Sequence, residues 1–126
     1  MEKLVKALLS IKPEFAKAIF DGKKRFEYRK TIFKKEIKYV QVYVTMPIGK
    51  IVGEFEIETI LKDNPLKIWK KTRRYSGVKK KFYMQYFQNK ETAYAIKIKN
   101  ILKYDNPICP YSEYHNFIAP QSFRYI

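Results

Sequence analysis

The most informative part of the sequence is the ten-residue stretch DGKKRFEYRK at residues 21–30. Apolar residues at helical spacing precede it, Gly22 is a typical helix stop, and the residues that follow favour a short strand. In a strand at residues 26–30, Glu27 and Arg29 lie on the same face, because strand side chains alternate with a period of two. An acid and an arginine on one face predict an ion pair that orients the guanidinium. The alternative interpretation is a charged, solvated turn.

Outward from this stretch, the hydrophobic pattern predicts both strands and helices. Strands are predicted at residues 5–11, 26–30, 37–45, 51–61 and 92–103, and the last is expected to end before Pro107 and Pro110. Helices are predicted at residues 13–20, at residues 65–73, and from the Ser76-Gly77 break to about Phe87. These elements predict an α+β fold, a small mixed β-barrel with flanking helices, although the pattern alone does not choose a barrel over an open sheet. No repeat or linker divides the chain, so residues 1–126 are predicted to form a single domain.

The composition points to a polyanionic partner. The 126 residues contain 27 Lys and Arg against 12 Asp and Glu, a net charge of +15, and are 46% hydrophobic, which suffices for a core. Nucleic acid is the first partner to consider and an anionic membrane the second. One Cys and one His exclude a disulfide framework and a structural zinc site, and four Gly exclude a glycine-rich phosphate loop, so no metal or cofactor is expected. No apolar run approaches the ~18 residues of a spanning helix, which predicts a cytoplasmic protein without a membrane partner.

Four residues carry a resemblance to a known family: Gly22, Lys24, Glu27 and Arg29. Their arrangement, Gly-x-Lys-x-x-Glu-x-Arg, resembles the signature of the ASCH domain, a relative of the PUA and EVE domains. The tail APQSFRY at residues 119–125 is similar to that of an ASCH-like subgroup described as transcriptional regulators. The resemblance implies a PUA-like β-barrel and a cleft beside the signature that binds RNA, another single-stranded nucleic acid, or a modified nucleotide.

In that cleft, the resemblance implies that Lys24 and Arg29 meet a phosphate or a base carbonyl, while Glu27 fixes the arginine or accepts from a base amine. Similar proteins that are enzymes imply an alternative, a hydrolase acting on an acylated cytidine or on RNA. In the amidohydrolases a lysine, a threonine and a distant glutamate carry the reaction. Lys24 matches the lysine, Glu27 stands where the threonine would be, and Glu56 is the nearest candidate for the distant carboxylate, with Glu54 as the second choice. The missing threonine favours binding, and the candidate catalytic residues of the alternative are Lys24, Glu27 and Glu56.

A second basic region spans residues 62–81, where nine Lys and Arg accompany a single Asp. Interleaved aromatic residues suit single-stranded nucleic acid, because cations hold phosphates while rings stack on bases. The alternative is that the rings form the core faces of two helices, which we prefer for Trp69 and Phe82. A weaker third possibility is a basic module that works through protein contacts in transcription.

The remaining candidates lie at a helix break and in the tail. Three residues between the two predicted helices project freely, and three polar residues of the tail lie either in a final strand or beside the cleft. Together with the signature, the predicted nucleic-acid-binding residues are Lys23, Lys24, Glu27, Arg29, Arg73, Arg74, Tyr75, Gln121, Ser122 and Arg124.

Overall fold

A computed structural model describes residues 5–126, in which six strands form one mixed sheet that curls into a half-barrel with helices at its flanks. The predicted α+β class is confirmed. The strands are β1 (Lys6–Ile11), β2 (Phe26–Arg29), β3 (Tyr39–Val44), β4 (Lys50–Asp63), β5 (Ala93–Ile108) and β6 (Phe123–Tyr125). The helices are α1 (Pro13–Phe20), α2 (Pro65–Thr72), α3 (Lys80–Tyr86) and α4 (Pro110–Glu113), with a 3-10 helix at Arg73–Tyr75. Within residues 5–126, no helix is long and apolar enough to cross a membrane.

The strand order is β2-β5-β4-β3-β1-β6, so β2 and β6 are the two edges of the sheet. β1 and β3 pair in parallel, and the crossover between them supplies α1 and β2. The other neighbouring strands pair antiparallel. Because the sheet curls, Arg29 at the end of β2 reaches Ser122, just before β6, and its NH1 donates to the Ser122 carbonyl at 3.2 Å. We call this meeting of the two edges the seam.

The main core lies inside the curl of the sheet. Because strand side chains alternate, Val40, Val42 and Val44 of β3 lie on the inner face, where all three are buried. They pack with Leu9 of β1 and Ile19 of α1. Each such side chain contributes about 1.5–3 kcal/mol by leaving water, so this core fixes α1, and with it the start of the 21–30 stretch, against the sheet.

A second core holds α2 and α3 against β2. Trp69 and Tyr83 pack with Tyr28, whose hydroxyl lies 2.7 Å from Thr72 Oγ1. Trp69 is buried as predicted, whereas Phe82, also predicted to be core, is half-buried and packs against Phe15 of α1, with 5.2 Å between the ring centres. The second core thereby fixes α3 beside the seam.

The last long strand extends further than predicted. β5 passes through Pro107 and ends at Ile108, and its pairing with β4 jumps from Gly53–Lys103 to Ile51–Ile108. The pairing of β4 and β5 is interrupted between these two pairs. Pro107 lies in this interruption, where the sheet does not require a backbone N–H donor. The prediction that the strand ends before Pro107 is therefore wrong.

Candidate functional site

A cavity of about 410 Å³ lies at the seam, beside the 21–30 stretch. Its aromatic wall comes mainly from α1 and α3, and its charged floor comes from β2 and the residue two positions before it. The lining residues are Ser10, Ile11, Lys12, Phe15, Lys24, Glu27, Tyr28, Arg29, Thr45, Val78, Phe82, Tyr83, Tyr86, Pro120 and Gln121. A concave, largely apolar cavity of this size with a few convergent polar groups is typical of small-ligand sites.

Lys24 is a buried cation at the floor of the cavity, with only 1% of its surface exposed. Its Nζ donates to the Ser76 carbonyl at 2.7 Å and lies 3.9 Å from Glu27 Oε1. The ammonium also lies 4.7 Å from the centre of the Tyr28 ring, within cation–π range. Burial lowers the pKa of Lys24 from 10.5 to about 8, against the opposing effect of the Glu27 carboxylate. Lys24 is thus mainly charged at neutral pH and releases its proton under mildly alkaline conditions.

The predicted ion pair between Glu27 and Arg29 is present, with 2.8 Å between Arg29 NH2 and Glu27 Oε2. Both residues are buried, each 7% exposed. The same NH2 donates to the Ser10 carbonyl at 3.0 Å, and NH1 donates to the carbonyl and the Oγ of Ser122, both at 3.2 Å. Because buried ions need partners of opposite charge and hydrogen bonds, this pair depends on the seam and also ties it together.

Two glycines shape the backbone around Lys24. Gly22, with φ of +79°, ends α1, and the next two N–H groups both donate to the Ala18 carbonyl at 3.0 Å. Gly77 has φ of +67°, and a Cβ built there would collide with the Lys24 side chain. The Ser76-Gly77 turn therefore accepts the Lys24 hydrogen bond and leaves room for the lysine to pass.

Aromatic rings form the wall that faces these charges. Phe82 and Tyr86 are nearly parallel, at 11°, with ring centres 6.2 Å apart. Lys12 Nζ lies 5.3 Å from the centre of the Phe82 ring, and Lys30 Nζ lies 4.5 Å from that of Tyr86. Sequence reasoning allowed the rings to stack on bases but preferred the core for Phe82, and it assigned neither Tyr86 nor the two lysines to the site. The four-residue spacing of the rings was the available signal, because it places them on one face of α3.

The signature and the fold agree with comparisons to known proteins. A sequence model of the ASCH domain matches residues 9–102. This chain belongs to the ASCH domain family. Among solved structures, the crystal structure of ASCH from Zymomonas mobilis is similar with a TM-score of 0.89 and 29% identity, over 96% of this chain and 87% of that one. The predicted PUA-like fold of an ASCH domain is thereby confirmed.

Relatives of this ASCH domain differ in how much of their length it covers. The ASCH domain-containing ribonuclease of Zymomonas mobilis subsp. mobilis is 30% identical over 127 residues, covering 95% of this chain and 83% of the ribonuclease. The large ribosomal subunit protein uL22 of Ureaplasma parvum serovar 3 is 35% identical over 120 residues. That match covers 94% of this chain but only 38% of the uL22 protein. The domain is thus similar to most of one protein and to a part of another.

The ASCH domain brings half of the predicted binding residues to the cavity. Lys24, Glu27, Arg29 and Gln121 line it, and Ser122 accepts hydrogen bonds from Arg29. The tail lies in a final strand and also beside the cavity, so both interpretations of residues 119–125 apply.

The other predicted binding residues lie elsewhere. Lys23 is exposed and does not line the cavity. Arg74 and Tyr75 line a second depression, and Arg73 is exposed next to them in the 3-10 helix. Arg124 lines a third hollow, away from the cavity at the seam. The predicted set therefore separates into distinct surfaces.

Glu56, the candidate distant carboxylate, is also away from the cavity. It lies in β4, where its Oε1 accepts from Asn100 Nδ2 at 3.2 Å and its Oε2 is 3.3 Å from Lys99 Nζ. The Asn100 hydrogen bond, assisted by Lys99, lowers the pKa of Glu56. Glu54 pairs instead with Lys6 at 3.3 Å. Neither carboxylate lines the cavity that contains Lys24. Within residues 5–126, no group of three His, Cys, Asp or Glu side chains lies close enough together to hold a metal ion.

Proposed function

We propose that this ASCH domain binds RNA through the cavity at the seam, which takes up an unpaired base of a single strand or the base of a modified nucleotide. The observation that carries this proposal is an aromatic wall that faces a buried cluster of Lys24, Glu27 and Arg29. Phe82 and Tyr86 offer flat apolar surfaces to a base, and the charged groups offer hydrogen bonds to its polar edge. The net charge of +15 attracts the phosphates.

The three charged groups have different roles in this proposal. Lys24 has three N–H donors, of which one is used by Ser76, so the others are available to a base carbonyl or a phosphate. Glu27 directs Oε1 toward Lys24 and accepts from a base amine. Arg29 already donates to four protein acceptors. We therefore assign it a positioning role: it holds the Glu27 carboxylate and the tail.

An unpaired base is favoured over duplex RNA. The charged floor is recessed, so only a base that has left its stack can reach it, and proteins read RNA sequence chiefly in unpaired segments. Stacking on an aromatic ring contributes about 1–3 kcal/mol per base, and a hydrogen bond to a charged group about 1.5–3 kcal/mol. Both contributions are available in the cavity.

Substitution of the buried lysine tests the proposal. Lys24→Met keeps the side-chain length and removes the charge, and Lys90→Met makes the same change at an exposed position outside the cavity. We expect Lys24→Met to weaken binding of a nucleoside monophosphate and of single-stranded RNA by about tenfold or more, because a charged hydrogen bond is lost. Titration calorimetry of both variants, with folding checked by circular dichroism, measures this. Equal losses in the two variants would contradict the proposal.

Hydrolysis of RNA is the second candidate function. Two observations favour it: the pKa of Lys24 is lowered to about 8 beside Glu27, and a relative is named a ribonuclease. A neutral Lys24 amine would take the proton of a ribose 2′-hydroxyl, whose oxygen then bonds to phosphorus as the bond from phosphorus to the 5′ oxygen breaks. The leaving 5′ oxygen takes the proton back. The products would be a 2′,3′-cyclic phosphate and a 5′-hydroxyl.

Product analysis separates binding from hydrolysis. We expect no turnover of acylated cytidine, because Glu27 stands where the amidohydrolases have threonine. Labelled RNA that stays intact while bound supports binding alone. RNA cleavage that vanishes in Lys24→Met, with Lys90→Met still active, would establish the hydrolase.

A role in transcription stays a prediction. It rests on the likeness of residues 119–125 to one ASCH-like subgroup, and a contact with the transcription machinery is a separate question from RNA binding.

A further inference from the structure

A second basic depression, of about 630 Å³, lies between the end of α1, the 3-10 helix and the middle of β5. Its lining holds more charged residues than the lining of the cavity at the seam. Six cations and one acid line it: Lys24, Arg25, Lys71, Arg74, Lys97, Lys99 and Glu58. A surface so rich in cations is typical of sites that follow a phosphate backbone.

Two of the six cations, Arg25 and Arg74, are free of ion pairs within the part of the chain that the structure describes. Lys97 pairs with Glu58 at 2.7 Å, and the other three lysines also have carboxylate partners. Within residues 5–126, neither Arg25 nor Arg74 has a carboxylate within 4 Å. Both guanidiniums lie over the ring of Tyr75, at 4.2 and 5.5 Å from its centre. The ring orients the two arginines and leaves their N–H edges available to an anion.

The backbone around this cluster is fixed by hydrogen bonds. The Arg25 N–H donates to the Tyr75 carbonyl at 2.9 Å, and the Ile98 N–H donates to the Arg25 carbonyl at 2.9 Å. The 3-10 helix, the segment before β2, and β5 are therefore joined at one point. The arginines are thus carried on a rigid base.

The second depression adjoins the cavity through consecutive residues. Lys24 lines both, and Arg25 follows it in the chain. On the facing segment, Tyr75 precedes Ser76, whose carbonyl accepts the Lys24 hydrogen bond. The base site and the two arginines are therefore adjacent along both segments, at Lys24 and Arg25 and at Ser76 and Tyr75.

We propose that the Arg25–Tyr75–Arg74 cluster binds the backbone phosphates of an RNA strand whose base occupies the cavity. This inference rests on the proposed function and extends it, since it divides recognition between a base site and a phosphate site. A single nucleotide fills the cavity alone, whereas a longer strand contacts both surfaces. Affinity therefore rises with strand length until the second depression is covered.

The experiment compares Arg25→Gln/Arg74→Gln with the control pair Lys34→Gln/Lys90→Gln, which removes the same charge at exposed positions outside both surfaces. Affinities are measured for one nucleoside monophosphate, for single-stranded RNAs of increasing length, and for poly-glutamate. The arginine pair should leave the mononucleotide unchanged and weaken the longer strands on the order of tenfold at low salt. It should also lower the salt slope by roughly 1.4 for two lost phosphate contacts to a single strand. The control pair should show a smaller, length-independent loss.

Three results overturn the inference: equal losses in the two double variants, an equal loss for the mononucleotide and the long strands, or poly-glutamate that binds as tightly as RNA and loses affinity in the same way. The failure of the proposed function is separate, because it appears as unchanged binding in Lys24→Met.

Discussion

The two basic surfaces of this ASCH domain have similar sequences, in which Lys and Arg are mixed with aromatic residues. They differ in whether the charged groups are buried or exposed. At the seam, Lys24, Glu27 and Arg29 are buried and held by protein acceptors. In the second depression, Arg25 and Arg74 are exposed and oriented only by a ring. Buried charges are weakly screened and fixed in direction, which suits discrimination between bases, whereas exposed charges are screened by salt and suit attraction of a backbone.

The largest effect that this contrast predicts is on stability. Arg29→Ala leaves the Glu27 carboxylate buried without its arginine and unties the seam, so the free energy of unfolding should fall by about 3–5 kcal/mol. Arg74→Ala, which removes an exposed guanidinium, should change it by about 0.5 kcal/mol or less. Urea unfolding followed by circular dichroism measures both. Similar losses for the two arginines would show that burial does not distinguish the surfaces.

The sequence predicts strands β1 to β5, helices α1 to α3 and the Glu27–Arg29 pair because each depends on local spacing, but it misses α4 and the true end of β5. It does not predict the bonds from Arg29 to Ser10 and Ser122, because these depend on the curl of the sheet, which brings together residues far apart in the chain. The same curl leaves Glu56 on a strand away from the cavity. Sequence spacing identifies which residues lie on the same face of a strand. Which other residues contact that face depends on how the whole sheet curls.

The exposure of Phe82 illustrates a second limit. Helical periodicity places it on an apolar face, which is a correct local result, yet that face is divided between the second core and the cavity. Only the packing of α3 against β2 determines which rings cover the core and which line a ligand site.

The next effect is the pH dependence of stability. The pKa of Lys24 is about 8 in the folded protein against 10.5 for an ordinary lysine, so between these values the unfolded chain binds more protons. Stability should therefore rise with pH across this window, by up to about 1.4 kcal/mol per pH unit from Lys24. The rise should be absent in Lys24→Met and present in Lys90→Met, as measured by urea unfolding at several pH values. A rise that survives in Lys24→Met would assign it to another group.

A pair of glycine variants separates backbone strain from displacement of Lys24. Gly77→Ala and Gly22→Ala both force alanine into a left-handed conformation, at a cost of about 1–2 kcal/mol. A Cβ at Gly22 meets no atom within 4 Å, whereas one at Gly77 collides with Lys24. We expect both variants to lose stability, but only Gly77→Ala to weaken nucleotide binding in calorimetry. If Gly22→Ala weakens binding as much, the Ser76-Gly77 turn does not position the lysine.

The smallest expected effect concerns the acid in the second depression. Glu58→Gln removes the partner of Lys97, whose Nζ is 2.7 Å from the carboxylate, so one more cation becomes available to phosphate. Affinity for long single strands should rise slightly, with the salt slope steeper by roughly 0.7, while unfolding stays nearly unchanged. Glu91→Gln, the same charge change outside the depression, is the control. Equal gains in affinity from the two variants would show that the effect comes from the change in net charge alone.

The most direct test of the central claim is a crystal structure of this protein soaked with a short single-stranded RNA. We expect one unpaired base against Phe82 and Tyr86, its polar edge at Lys24 Nζ, and the adjoining phosphates at Arg25 and Arg74. RNA bound only along the exposed basic surface, with no base in the cavity at the seam, would contradict it.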